Sequence, residues 1–158
     1  MSNALISDCT LFRYWLTRDA LTAGRLLPPA LFVMLNPSIA DALVDDPTIR
    51  RCRNFADDWG HNGIVVANLY AFRTPKPADL WKAKDQVGPD NDRWLSELLE
   101  QHETVVCAWG AEAKQSRADQ FIALAQAKGR TLRCLGKTLT GQPRHPLYVK
   151  GDTPLTPL

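Results

Sequence analysis

The chain has four cysteines, Cys9, Cys52, Cys107 and Cys134, and no Cys-x-x-Cys pair among them. Spacing this wide points to neither a zinc site nor an iron–sulfur cluster. Three of the four sit in apolar or mixed segments, where a free cysteine behaves as a small buried hydrophobe. No stretch approaches the roughly 20 apolar residues that span a bilayer, so no membrane partner is expected. The amino end lacks a charged head followed by an apolar run and a small-residue cleavage site, which gives a cytoplasmic location as the expectation. A formal net charge of +2 is too small to argue for nucleic acid by itself. No internal repeat or low-complexity segment is present.

What remains is an ordinary globular composition, 45% hydrophobic and 23% charged over 158 residues. A chain of this length buries roughly 70% of its unfolded surface without help from a metal or disulfide. One domain over residues 1–158 is expected, with residues 151–158 as a loose tail.

Two apolar runs, Ala30-Leu31-Phe32-Val33-Met34-Leu35 and Ile64-Val65-Val66-Ala67-Asn68-Leu69-Tyr70-Ala71-Phe72, lack alternation, as strands buried on both faces do. Between them Asp46 precedes Pro47, and Ile49, Cys52, Phe55, Ala56 and Trp59 recur at helical spacing before Gly60. An N-cap, a proline at the first helical position and a terminal glycine delimit one helix. Strand, helix and strand in about 35 residues make a βαβ unit with a parallel pair.

Residues 104–110 and 131–135 read as further strands, and residues 90–100 and 112–128 as helices. Residues 10–18, aromatic and weakly alternating, read as an edge strand or hairpin arm. The expected fold is therefore a three-layer α/β/α sandwich with a mainly parallel four-stranded sheet plus that N-terminal strand or hairpin.

In such folds ligands bind beyond the carboxyl ends of the strands. Those ends carry Asn36-Pro37-Ser38, then Asn68 through Arg73, then Trp109-Gly110, and, one loop later, Arg144-His145-Pro146. Asn68, an amide inside an apolar strand, is the odd residue.

The whole chain resembles the bacterial and phage domain-of-unknown-function family 1643. The resemblance runs through Met34-Leu35-Asn36-Pro37-Ser38-Ile39-Ala40-Asp41, Asp45-Asp46-Pro47-Thr48-Ile49-Arg50-Arg51, Gly88-Pro89-Asp90-Asn91-Asp92, Ala108-Trp109-Gly110 and His145-Pro146-Leu147-Tyr148. More distantly, the order of the motifs resembles the uracil-DNA glycosylase superfamily. Leu35-Asn36-Pro37-Ser38 is similar to its Gly-Ile-Asn-Pro-Gly segment, Ala67 through Pro75 to its Thr-Asn-Val-Val-Lys-Cys-Arg-Pro-Pro segment, Val106 through Ala111 to its Leu-Leu-Gly-Ala strand end, and His145-Pro146-Leu147-Tyr148 to its His-Pro-Ser-Tyr loop. The chain departs from that pattern at Ser38 in place of glycine, at Thr74-Pro75, at Leu147 in place of serine, and in lacking cluster cysteines.

This second resemblance implies a glycosylase-like fold and a nucleic-acid or nucleotide partner, with no cofactor and no metal. Asn36 would hold the water that attacks C1′, Asn68 would read the edge of an extruded base, and His145 would donate to the base oxygen as the glycosidic bond breaks. Pro37, Ser38, Asp41, Arg73 and Trp109 complete the expected substrate site, Trp109 as a stacking platform. Arg50, Arg51, Lys76 and Arg144 are the expected phosphate contacts.

Each group also has a structural reading. Asn36 before a proline can cap a strand end, the acidic set Asp41, Asp45 and Asp46 can cap helices or hold a divalent cation, and Arg50, Arg51 and Arg53 can form a salt-bridged helix surface facing Asp57 and Asp58. Three functions stay open: an N-glycosidic hydrolase acting on, or a binder of, a flipped or modified base; a small-molecule nucleotide or nucleoside enzyme with or without a metal; and a non-catalytic phage-related binding module. The sequence leaves the oligomeric state open.

Overall fold

A computed structural model describes residues 2–158. In chain order the elements are β1 (Asn3–Ile6), β2 (Arg13–Arg18), β3 (Ala30–Met34), α1 (Pro47–Asp58), β4 (Ile64–Asn68), α2 (Pro77–Lys82), α3 (Asn91–Gln101), β5 (Val105–Cys107), α4 (Gln115–Ala127), β6 (Leu132–Cys134) and β7 (Thr156–Pro157). The protein is mixed α/β, built on one seven-stranded sheet in the order β1-β2-β4-β3-β5-β6-β7.

The two non-alternating apolar runs become β3 and β4, which pair in parallel from Ala30 opposite Ile64 to Met34 opposite Asn68. Strand β3 also pairs in parallel with β5, and β5 with β6. On one side β2 joins antiparallel to β4 and carries β1 as a hairpin; on the other β7 joins antiparallel to β6.

Successive strand side chains point to opposite faces, and each face has its own helices. Ala30, Phe32, Met34, Ile64 and Val66 pack against Ile49, Cys52, Phe55 and Ala56 of α1. Leu31, Val33, Val65, Ala67 and Val105 pack against Leu80 of α2, Leu95, Leu98 and Leu99 of α3, and Phe121 of α4. Burying each large apolar side chain contributes about 1.5–3 kcal/mol. The start of α1 is set as its sequence indicates: the Asp46 side chain accepts from the Ile49 N–H at 2.9 Å, with Pro47 in the first turn.

Of the two readings for residues 10–18 the hairpin arm holds, since β2 pairs antiparallel with β1, and this makes β2 internal rather than an edge. Two other expectations need correction. The sheet has seven strands, since short flanking pairs extend the central runs at both ends. The tail is not loose: β7 pairs with β6, and Leu158 N–H donates to the Leu132 carbonyl at 3.1 Å. Helix α2 is an added element in the connection before the expected helix at residues 90–100, because its six residues are too few to show a period.

Candidate functional site

A cleft of about 390 Å³ opens beyond the carboxyl ends of β3, β4 and β5, on the α1 side of the sheet. Its walls come from Met34 through Asn36, from Asn68, from Trp109 through Glu112, from the amino end of α1, and from the loop at His145. The parallel strands bring these segments together although they lie far apart in sequence.

Asn68 ends β4 in the row that begins with Ile64 and Val66, so its side chain points toward the cleft. It is 1% exposed, and neither Nδ2 nor Oδ1 has a hydrogen-bond partner. Its main chain is held firmly all the same: Asn91 Nδ2 donates to the Asn68 carbonyl at 3.0 Å and to the Leu69 carbonyl at 3.1 Å, and Arg117 Nε donates to the Leu69 carbonyl at 2.9 Å. An unmatched buried amide costs about 1–3 kcal/mol per orphaned group. The fold fixes this amide in place and leaves it unsatisfied.

Asn36 lies just past β3. Its Nδ2 donates to the carbonyls of Thr74 at 2.9 Å, Pro37 at 3.1 Å and Phe72 at 3.3 Å. Three carbonyls around one end of the amide fix its orientation, which leaves Oδ1 as a free acceptor on the cleft wall. The strand-end cap and the site role are thus played by opposite ends of one side chain.

His145 is half-buried, and its Nδ1 accepts from the Leu147 N–H at 3.1 Å. That bond places the proton of a neutral ring on Nε2. Burial lowers the His145 pKa, against the opposing pull of the Asp46 carboxylate. Its loop is pinned from three sides: Arg51 Nε donates to the Pro146 carbonyl at 3.2 Å, Arg51 Nη2 to the Val149 carbonyl, and Gly110 N–H to the Pro143 carbonyl at 2.8 Å. Gly110 has φ +77°, and a side chain there would meet His145 Cβ at 3.7 Å.

Arg13 reaches the cleft from β2 and is 2% exposed. Its Nη1 donates to the Ala40 carbonyl at 2.7 Å, while Nε is buried without a partner. Desolvation pushes its pKa down to about 10, although the Asp46 charge opposes this. Arg13, Thr48 and Glu112 line the cleft without having been expected there, and Asp46, expected as a helix cap or as part of a cation-binding acidic set, lines it too. The only advance signal for Arg13 was a cation set in an aromatic strand.

Of the expected site residues, Asn36, Ser38, Asn68, Trp109 and His145 line the cleft. Trp109 does so from the core: it is buried, its Nε1 donates to Gln142 Oε1 at 2.8 Å, and its ring meets Phe121 edge-on at 5.8 Å. Pro37 stands beside the cleft, its carbonyl accepting from Thr74 N–H at 2.9 Å. Asp41 lies outside, with Oδ1 accepting from the Leu43 and Val44 N–H groups at 2.8 and 2.9 Å. Arg73 Nη1 donates to the Thr10 carbonyl at 3.1 Å.

The expected phosphate contacts do not gather on the cleft wall. Arg50 Nη1 donates to the Asp45 carbonyl at 3.2 Å, Arg144 Nε to the Lys137 carbonyl at 3.1 Å, Arg51 holds the His145 loop, and Lys76 stands at the start of α2. Arg53 pairs with Asp45 at 3.1 Å, whereas Asp57 pairs with Arg25 at 2.9 Å. The acidic set is divided likewise: Asp41 closes a turn, Asp45 binds two arginines and Asp46 caps α1. Among the described residues no group of three or more His, Cys, Asp or Glu side chains is placed to hold a metal ion.

The model of a family described as proteins of unknown function (DUF1643) matches residues 13–147, and the chain belongs to that family. No curated protein and no solved structure matches the chain.

Proposed function

We propose that this member of the family recognises a nucleobase in the cleft and hydrolyses the N-glycosidic bond that carries it. The observation behind this reading is the Asn68 amide, buried at the cleft with both ends unbonded. A carboxamide offers a donor and an acceptor side by side, the pairing partner of a base edge that presents the complementary acceptor and donor. A bound base supplies both missing bonds at once, and a ligand lacking that edge leaves them unmade.

The other cleft groups fit the same chemistry. Asn36 Oδ1, oriented by three carbonyls on its nitrogen, accepts a hydrogen bond from a water held near C1′. His145, with Nδ1 occupied by Leu147 N–H, presents Nε2–H to the base oxygen on which charge builds. Water oxygen bonds to C1′, the C1′–N bond breaks with its electron pair passing to the base, and the proton lost by the water ends on the released base. The order of the Asn36, Asn68, Trp109 and His145 segments, which resembles that of the uracil-DNA glycosylase superfamily, supports a three-layer glycosylase-like reading of the sheet and its helices. With two amides and one imidazole, this set has no strong nucleophile, which suits direct attack by water.

The test is base release. Oligonucleotides carrying uracil, hypoxanthine, alkylated bases or mismatches, together with free nucleosides, are incubated with the protein and the products resolved by chromatography. Release of one free base, lost in Asn36→Ala and Asn68→Ala, is the expected result. Binding of these compounds without release at any position removes the hydrolase and leaves a base-binding protein.

A further inference from the structure

Arg13 is the cleft group that base recognition does not use. Its side chain makes one hydrogen bond among the described residues, from Nη1 to the Ala40 carbonyl, and its Nε is buried without a partner. Its neighbour on the same strand shows the contrast. Arg18, 4% exposed, has the Asp45 carboxylate on its Nε at 2.5 Å and carbonyls around its remaining nitrogens. The fold therefore gives one buried arginine of β2 a counter-ion and leaves the other without one.

The donors that Arg13 has free are Nε and Nη2, the side edge of the guanidinium. Two parallel N–H groups on that edge match two oxygens of a single oxyanion. The carboxylates of Asp46 and Asp41 act on Arg13 through space, but Asp46 is engaged with the first turn of α1 and Asp41 with a turn of its own loop, and Arg73 and Arg18 add positive potential against them. A cleft of about 390 Å³ lies within the roughly 300–1,000 Å³ range of small-ligand pockets, large enough for more than a base alone.

We infer that Arg13 is an oxyanion receptor, and that the ligand carries a phosphate held on Arg13 Nε and Nη2 in the same cavity in which Asn68 holds the base. The inference rests on the nucleobase reading of the cleft and adds the substrate class: a nucleotide unit rather than a bare nucleoside. The phosphate is either the monoester of a free nucleotide or a diester within a strand.

Calorimetric titrations separate these cases. Matched nucleosides and nucleoside 5′-monophosphates, inorganic phosphate, acetate and short oligonucleotides are titrated into the wild type, Arg13→Gln and Asn68→Ala. For at least one base the monophosphate is expected to bind the wild type about tenfold more tightly than its nucleoside. Arg13→Gln removes that preference, whereas Asn68→Ala weakens both members of the pair alike and leaves it in place. Tighter binding of an oligonucleotide than of the monophosphate assigns the phosphate to a strand, and the reverse assigns it to a free nucleotide.

Equal affinity for nucleoside and monophosphate overturns the inference, as do binding of acetate without phosphate, a phosphate preference that survives Arg13→Gln, and a wild type that binds none of the probes. If Asn68→Ala changes neither affinity while the phosphate preference still depends on Arg13, the base reading falls and the oxyanion receptor stands. Should Arg13→Gln fail to fold, the Arg13 Nε–H resonance of the wild type decides: it moves with the monophosphate and not with the nucleoside, and a resonance that stays fixed overturns the inference.

Discussion

Asn91 Nδ2 donates to the main-chain oxygen of Asn68 at 3.0 Å, while the side-chain amide of Asn68 bonds to nothing. One asparagine, itself fully buried in α3, thus immobilises the backbone from which the other presents an unsatisfied amide to the cleft. A side chain held this way is preorganised for a partner, at the expense of the stability of the empty protein.

Asn68→Leu exchanges the orphaned amide for an apolar group of similar size on a cleft wall that also holds Met34, Val66 and Ile49. Its urea midpoint is expected to rise, by an amount corresponding to about 1–3 kcal/mol, while base binding is lost. A fall in midpoint with binding intact would show that the amide is satisfied in the empty protein.

The acid limb of stability belongs in part to Asp45. Burial pushes its pKa up, but hydrogen bonds from Arg18 and Arg53 outweigh this and hold it below the usual carboxylate range. The folded value lies below the unfolded one, so this stabilisation is complete above about pH 4 and is lost as pH falls further. Asp45→Ala leaves the Arg18 guanidinium without its counter-ion and should cost about 2–3 kcal/mol at neutral pH, less than a fully buried pair because Asp45 keeps some contact with solvent. Denaturation curves from about pH 2 to about pH 6, about two units on either side of the transition, should flatten on the acid side in this variant.

His145 acts in the same sense, at higher pH, and reaches catalysis as well. Its pKa is depressed by burial, so the native ring stays neutral below the ordinary value of about 6.5. Stability falls as pH drops through that value, because the unfolded chain takes up the proton first. Protonating Nδ1 breaks the bond from Leu147 N–H, so base release should decline on the acid side with a midpoint below about pH 6.5. Carbon-bound proton signals of the His145 ring, followed by NMR, should give the same midpoint. A midpoint above the ordinary value would assign the pH dependence to another group.

Asp46 joins the helix cap to the charge of the cleft. Asp46→Asn keeps a capping side chain and should change stability by less than about 0.5 kcal/mol, whereas Asp46→Ala should cost about 1 kcal/mol. Both variants remove the negative charge that Arg13 and His145 feel. The midpoint of His145 should therefore move further down, and monophosphates should bind more tightly in Asp46→Asn, measured by calorimetry against the wild type.

Much of this was legible in the chain because local chemistry marks it. Asp46 before Pro47 and the spacing from Ile49 to Trp59 define α1, and unbroken apolar runs define β3 and β4. Asn36 stands out at the end of an apolar run and Asn68 as an amide within one, while His145 is marked only by its motif in a later loop; all three reach one cleft. Arg13 was not legible. Its burial depends on residues 36–46 folding over β2 and supplying the Ala40 carbonyl, a contact 27 residues away. The commitment of Trp109 to the core is likewise tertiary, since its indole N–H finds Gln142, 33 residues later. The pairing of β7 rests on two residues of an edge strand, too short for any pattern to announce.

The most direct measurement is the side-chain NH₂ signal pair of Asn68 in the nitrogen-15 spectrum, assigned with Asn68→Leu and followed during titration with nucleoside 5′-monophosphates and base-modified oligonucleotides. Base recognition by the orphaned amide requires that the bound ligand shift this pair strongly, and that a base analogue with its pairing edge blocked leave it in place. A ligand that saturates the cleft, moving Arg13 or His145, while the Asn68 pair stays where it was would contradict the assignment.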